Sequence, residues 1–158
     1  MNNFDVREIF EFALKIEEKG ENFYRKYADK TEVQELKDIF NFLADEEIKH
    51  KNTFQRLLSK IEKYEPFENY PEEYFFYLAA FVENVIFKDG EFSKEIENIS
   101  NNIEALDFAI RREIDSINYY NEIKSFVPEE QRNLVEEIIE EERRHFLKLS
   151  EFKKKLTK

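Results

Sequence analysis

The chain has no cysteine and no tryptophan, only two histidines, one methionine, two glycines and three prolines in its 158 residues. Without thiols there are no disulfides, thiolate zinc sites, iron–sulfur clusters or cysteine nucleophiles. Any metal must be held by carboxylates and imidazoles. So few glycines and prolines leave few turns, which favours long helices over sheet. Positive charge is also in deficit: the formal net charge is −11, which argues against nucleic acid as a partner. The longest apolar run, residues 74–82, is too short to span a bilayer. Asp5, Arg7 and Glu8 interrupt the start of the chain, so no secretory leader is legible. The expectation is a cytoplasmic protein with no nucleic-acid or membrane partner.

What is present is apolar periodicity. Spacings of three and four residues predict helices over residues 3–29, 31–64, 103–126 and 128–156, with Pro128 suited to a first helical turn. Short links join the first to the second and the third to the fourth. Between the two pairs lies a stretch with Pro66, Pro71, the aromatic run Tyr74-Phe75-Phe76-Tyr77 and Asp89-Gly90. It reads as a long crossover carrying one short helix, over residues 71–87. The expected fold is all-α: one domain, residues 1–158, forming a four-helix bundle of two hairpins joined by a long crossover. The aromatic crossover is expected to pack across the bundle or to form a homodimer contact. Lys153, Lys154 and Lys155 suit the negative end of the last helix.

Each apolar stripe has a polar break near its middle: Glu17, then Glu47 with His50, then Glu113, then Glu142 with His145. A carboxylate on a core-facing stripe is normally paired, protonated or metal-bound, because burying it alone costs several kcal/mol. Four in one layer repel each other, and two divalent cations would cancel their charge. The Glu-x-x-His spacing puts an oxygen and a nitrogen on one helix face. The only two histidines both occur in that motif. Two such pairs plus two single glutamates form a di-iron carboxylate pattern. The expected ligands are therefore Glu17, Glu47, His50, Glu113, Glu142 and His145, for two iron ions, with manganese or zinc also compatible.

The pattern repeats. Glu17, Asn22 and Tyr24 align with Glu113, Asn118 and Tyr120. The step from Glu17 to Glu47 is 30 residues and that from Glu113 to Glu142 is 29. Tyr24 and Tyr120 each follow a single glutamate by seven residues, about 10 Å along the same helix face. Their hydroxyls could reach carboxylates around the site across the bundle; the alternative is an ordinary core tyrosine with a satisfied hydroxyl. Asp45 and Asp115 flank the expected ligands and either orient the imidazoles or serve as solvated charges.

In residues 16–24, 46–50, 113–120 and 140–145 the chain resembles the rubrerythrin branch of the ferritin-like superfamily. The resemblance implies a di-iron centre that reacts with hydrogen peroxide or dioxygen, as a peroxidase or ferroxidase. Rubrerythrins usually carry a further carboxylate three residues after the third-helix ligand, where this chain has Ser116. They also carry a cysteine-ligated rubredoxin-type domain, so here an external electron donor is implied. With no fifth helix after Leu156, a ferritin cage is not expected. The alternatives are a non-catalytic iron-sequestering protein and a metal-free structural bundle.

Overall fold

The computed structural model describes residues 6–61, 72–86 and 91–158. Helix α1 spans Val6–Lys30. Its buried residues Val6, Ile9, Phe10, Ala13, Ile16, Glu17, Gly20, Phe23, Tyr24, Tyr27 and Ala28 follow the spacing of one helix face. Thr31 and its neighbours turn the chain: the Thr31 hydroxyl donates to Asn102 and accepts from the Val33 amide, tying the link to the start of a distant helix. Helix α2 then runs over Gln34–Ile61, antiparallel to α1.

The crossover contains more helix than its sequence suggested. Helix α3, Glu72–Phe81, continues into a π-helical turn, Val82–Ile86. A further helix, α4, Glu91–Asn98, was not expected; Ile96 and the buried Ile99 beyond it reach the core. The expected starts and ends at residues 3, 64, 71 and 87, and the Asp89-Gly90 pair, lie outside the described residues.

Helix α5 is Asn102–Ile123. Asn101 caps it by accepting from the Glu104 amide at 2.9 Å, while Glu104 accepts from the Ser100 amide at 2.8 Å. This reciprocal arrangement satisfies otherwise orphaned donors. The chain tightens into 3₁₀ turns at Lys124–Phe126 and Glu129–Gln131 before α6, Arg132–Leu156. The last helix thus starts after, not at, Pro128, which has the extended ψ of 142° that ends one segment and leads into a 3₁₀ turn. Lys153 and Lys155 pair with Asp107 and Glu35, so two of the three terminal lysines tie α6 to α5 and α2.

Hairpin α1–α2 packs on hairpin α5–α6, with α1 against α5 and α2 against α6. The core divides in two. One apolar cluster holds Ile9, Phe10, Phe54, Leu57, Leu78, Tyr119, Tyr120 and Val135. The other holds Phe23, Tyr24, Leu36, Phe40, Leu43, Leu106, Phe108 and Phe152. The polar breaks of the four stripes lie between them. The arrangement is a ferritin-like helical bundle. No helix among the described residues is long and apolar enough to cross a membrane.

Candidate metal centre

The layer between the two clusters brings together all six expected ligand side chains. Glu17, Glu47, His50, Glu113, Glu142 and His145 are each at most 3% exposed. Their donor atoms form two groups that could each hold an ion: Glu17, Glu47, His50 and Glu142, and Glu113, Glu142 and His145. Glu142 belongs to both. One of its oxygens lies 3.1 Å from His50 Nδ1 and the other 3.1 Å from His145 Nδ1. His50 Nδ1 is also 3.4 Å from Glu17 Oε2, and His145 Nδ1 is 3.9 Å from Glu113 Oε2.

The electrostatics reflect four crowded carboxyls. Burial, then repulsion from Glu17 and Glu142, pushes Glu47 well above the usual carboxylate range. Burial and the Glu142 charge do the same to Glu113. Burial acts upward on Glu17 too, but a hydrogen bond from Glu47, the His50 charge and the Tyr120 hydroxyl outweigh it and hold Glu17 low. Burial disfavours the His50 cation, yet the charges of Glu142 and Glu17 and the Glu141 hydrogen bond raise its pKa well above the ordinary value. His145 goes the other way: burial dominates and lowers it, with Glu113 opposing.

The donor set fits divalent ions. Glu17 Oε2 and His50 Nδ1 are buried, converge on one point and, among the described residues, have no hydrogen-bond partner of good geometry. Buried polar atoms are rarely left so. An ion with oxygen and nitrogen ligands would satisfy both and offset the burial and repulsion that raise Glu47 and Glu113.

The tyrosines cross over. Tyr24, on α1, donates to Glu113 on α5, and Tyr120, on α5, donates to Glu17 on α1. Each hydroxyl therefore touches a single-helix glutamate of the opposite hairpin, inside the layer. Burial and these carboxylates raise both phenol pKa values well above their ordinary range, so both stay protonated donors.

Three participants were missed in the sequence. Glu141 holds His50 Nε2 at 2.8 Å, the orienting contact that Asp45 and Asp115 had been considered for. Asp45 instead lies at the surface, paired with Arg25, and Asp115 is half-buried. Glu46, paired with Lys49, adds to Glu113 in opposing the loss of a proton from His145. A signal existed: a glutamate directly precedes the Glu of each Glu-x-x-His, as Glu46-Glu47 and Glu141-Glu142. The third is Arg112, whose guanidinium donates to the Ile16 carbonyl at 3.0 Å. Its charge is further stabilised by Glu47, Glu113 and Glu17, although burial opposes it. Gly20 makes room for it: a Cβ there would lie 2.7 Å from Arg112 Nη1 and 2.8 Å from Glu47 Cδ.

No curated protein sequence is significantly similar to the chain. A crystal structure from Thermotoga maritima, of a candidate ferritin-like diiron-carboxylate protein, is similar over 98% of this chain and 97% of that one, at 28% identity and a TM-score of 0.70. The rubrerythrin family model matches residues 8–153. The helical order, the buried Glu/His layer and this match agree, and the chain belongs to the rubrerythrin family.

Proposed function

We propose that Glu17, Glu47, His50, Glu113, Glu142 and His145 hold two iron ions, and that the protein reduces hydrogen peroxide or dioxygen with electrons from an external donor. The observation that carries this reading is the pair of donor groups sharing Glu142 in a layer sealed by apolar clusters. Bound iron would supply Lewis acidity and electrons. The chain's own residues do the rest. Glu141 fixes the His50 ring so that Nδ1 faces inward. Tyr24 and Tyr120 each donate to one oxygen of a glutamate and leave the other for metal. The flanking aromatic and aliphatic residues exclude water from both ends of the layer.

The test is an anaerobic ferrous titration of the metal-free protein followed by rapid mixing with peroxide or oxygen. Two tightly bound irons per chain, oxidised faster than free ferrous ion and cycling with a reductant, are the expected result. Absence of tight binding removes the reading. Ser116 favours a second reading, iron sequestration without turnover. It is buried where relatives usually have a further carboxylate, and a hydroxyl is a weaker metal donor. Iron oxidised once, with no cycling under any reductant, would select that reading instead.

A further inference from the structure

A file of aromatic rings leads from the candidate centre to the surface of the crossover, and ligand binding leaves most of it unexplained. Tyr120, in contact with Glu17, has the Tyr119 ring 6.1 Å away. Tyr119 stacks on Phe81 at 6.3 Å with an interplanar angle of 15°. Phe81 meets Tyr77 at 6.3 Å, and Tyr77 stacks on Tyr74 at 6.2 Å. The inner two rings are fully buried and Tyr77 is 49% exposed. The rings around Tyr24 behave differently. Phe23, Phe40, Tyr27 and Phe108 group about it with none more than 4% exposed, so these rings are enclosed where Tyr77 is open to solvent.

Both ends of the file carry a proton acceptor. Tyr120 donates to Glu17, and Tyr74 donates to Glu122 at 2.5 Å. A phenol gives up an electron far more readily when its proton has somewhere to go. Among the described residues Tyr119 donates to the Ile9 carbonyl, a weak base, and Phe81, a ring much harder to oxidise than a phenol, holds no charge itself but bridges Tyr119 and Tyr77 for electron tunnelling.

We infer that this file carries single oxidising equivalents from the centre to Tyr74 and Tyr77, where a small hydrogen-atom donor of the phenol or enediol class quenches them. The inference rests on the iron reading. Cleaving the O–O bond of hydrogen peroxide takes two electrons. When only one ferrous ion is present, Tyr120 supplies the second electron and its phenol proton. Hydrogen peroxide, one ferrous ion, one tyrosine and one proton then become two waters, one ferric ion and one tyrosyl radical. Tyr120 is fully buried, so no donor in solution reaches it directly. An electron moving inward through Phe81 and Tyr119 restores it with a proton from the site, and leaves the radical on Tyr74 or Tyr77 as Glu122 or water takes the phenol proton. The donor's hydrogen atom then returns that residue to tyrosine.

The experiment adds peroxide to protein loaded with a single equivalent of ferrous iron, in the presence of a nitroso spin trap. It reads the radical by electron paramagnetic resonance, the adduct by peptide mass spectrometry and iron oxidation by absorbance. The expected adduct is on Tyr74 or Tyr77. Tyr119→Phe keeps the ring and removes the phenol, and Phe81→Leu widens the gap. Each should lower the adduct about tenfold while iron oxidises at the wild-type rate. Tyr74→Phe with Tyr77→Phe should abolish the adduct and leave a longer-lived buried radical. Iron oxidised with no adduct on either residue, or with an adduct indifferent to Tyr119→Phe and Phe81→Leu, overturns the file alone. Iron not oxidised by peroxide overturns the centre and the file with it.

Discussion

The two hairpins carry the same chemistry in the same order, but they are not equivalent. In each, a single glutamate is followed two turns later by a tyrosine, and a Glu-Glu-x-x-His segment lies on the next helix. The tyrosines exchange partners across the bundle, so neither hairpin completes its own layer. The differences sit beside the single glutamates. Ile16 precedes Glu17 where Arg112 precedes Glu113, and Gly20 stands where the second hairpin has Ser116. Arg112 brings a cation to the first donor group, and Gly20 is the notch that admits it. The imidazoles diverge as well: His50, gripped by Glu141, gains proton affinity, while His145, edge-on to Phe42, loses it. A repeated framework thus sets the donor layer, and single-residue departures from it make two donor groups of unequal character.

Glu142 is the residue that both donor groups share. Glu142→Ala should abolish tight binding at both positions, because its two oxygens serve both donor groups. Glu113→Ala should remove only the three-donor position and leave about one iron per chain on Glu17, Glu47, His50 and Glu142. Losing a direct ligand should exceed the tenfold to about hundredfold that loss of an outer partner costs. Ferrous titration of the two variants, read as stoichiometry, checks this. Equal loss in both would show that the two positions fill only together.

Acidity offers the next test. Glu47 and Glu113 have pKa values raised above the ordinary 4.5, and that of His50 is raised above 6.5. A raised folded-state pKa gives stability that is present below the unfolded value and is lost as pH climbs through the folded value. The metal-free protein should therefore lose stability as pH rises from about 4.5 past neutrality. Glu17, held below 4.5, acts oppositely, but only at lower pH. Metal competes with protons for carboxyls and an imidazole whose pKa values are raised, so affinity should rise with pH. Calorimetry of ferrous binding in buffers of different ionisation enthalpy reads the protons released; none released would contradict the charge arrangement.

Much of this was legible in the sequence because helical spacing places a polar residue either on an apolar stripe or off it. Glu17, Glu47, Glu113 and Glu142 interrupt stripes, and their burial follows from that alone. Arg112 was hidden because it sits beside Arg111 at the edge of a stripe, where a long cationic side chain usually reaches solvent. Its inward course depends on the missing side chain of Gly20, on another helix. Helix α4 was hidden for a similar reason: among the described residues Ile96 and Ile99 anchor it, against a core that no local pattern reveals. The late start of α6 reflects the tertiary demand of the link, where the Arg132 side chain donates to the Val127 carbonyl at 3.2 Å.

The notch gives a smaller and more specific effect. Gly20→Ala adds a methyl 2.7 Å from the guanidinium, the flexible end of a long side chain. Displacing it should cost about 1–3 kcal/mol of packing, offset by about 0.5–1 kcal/mol of helix preference. The melting temperature should drop only slightly. The clearer readout is at the first donor group, since the same methyl presses on Glu47. Ferrous affinity at the four-donor position should fall while the three-donor position is unchanged. An equal change at both would mean that Arg112 acts on the layer as a whole.

The finest distinction lies between the crossed tyrosines. In the metal-free protein Tyr120 donates to Glu17, whose pKa is lowered by its hydrogen bonds and His50 so that the charged form is favoured, while Tyr24 donates to Glu113, whose pKa burial and Glu142 raise so that the neutral form is favoured. A hydrogen bond to a charged group contributes about 1.5–3 kcal/mol and one between neutral groups about 0.5–1.5 kcal/mol. Tyr120→Phe should therefore destabilise the metal-free protein more than Tyr24→Phe, by about 1 kcal/mol in urea unfolding. With metal bound, both glutamates are ionised and the two substitutions should cost the same. The gap between the variants, present without metal and closed with it, reports the proton on Glu113 directly. A gap that persists after metal binding would place the asymmetry in the packing around the rings.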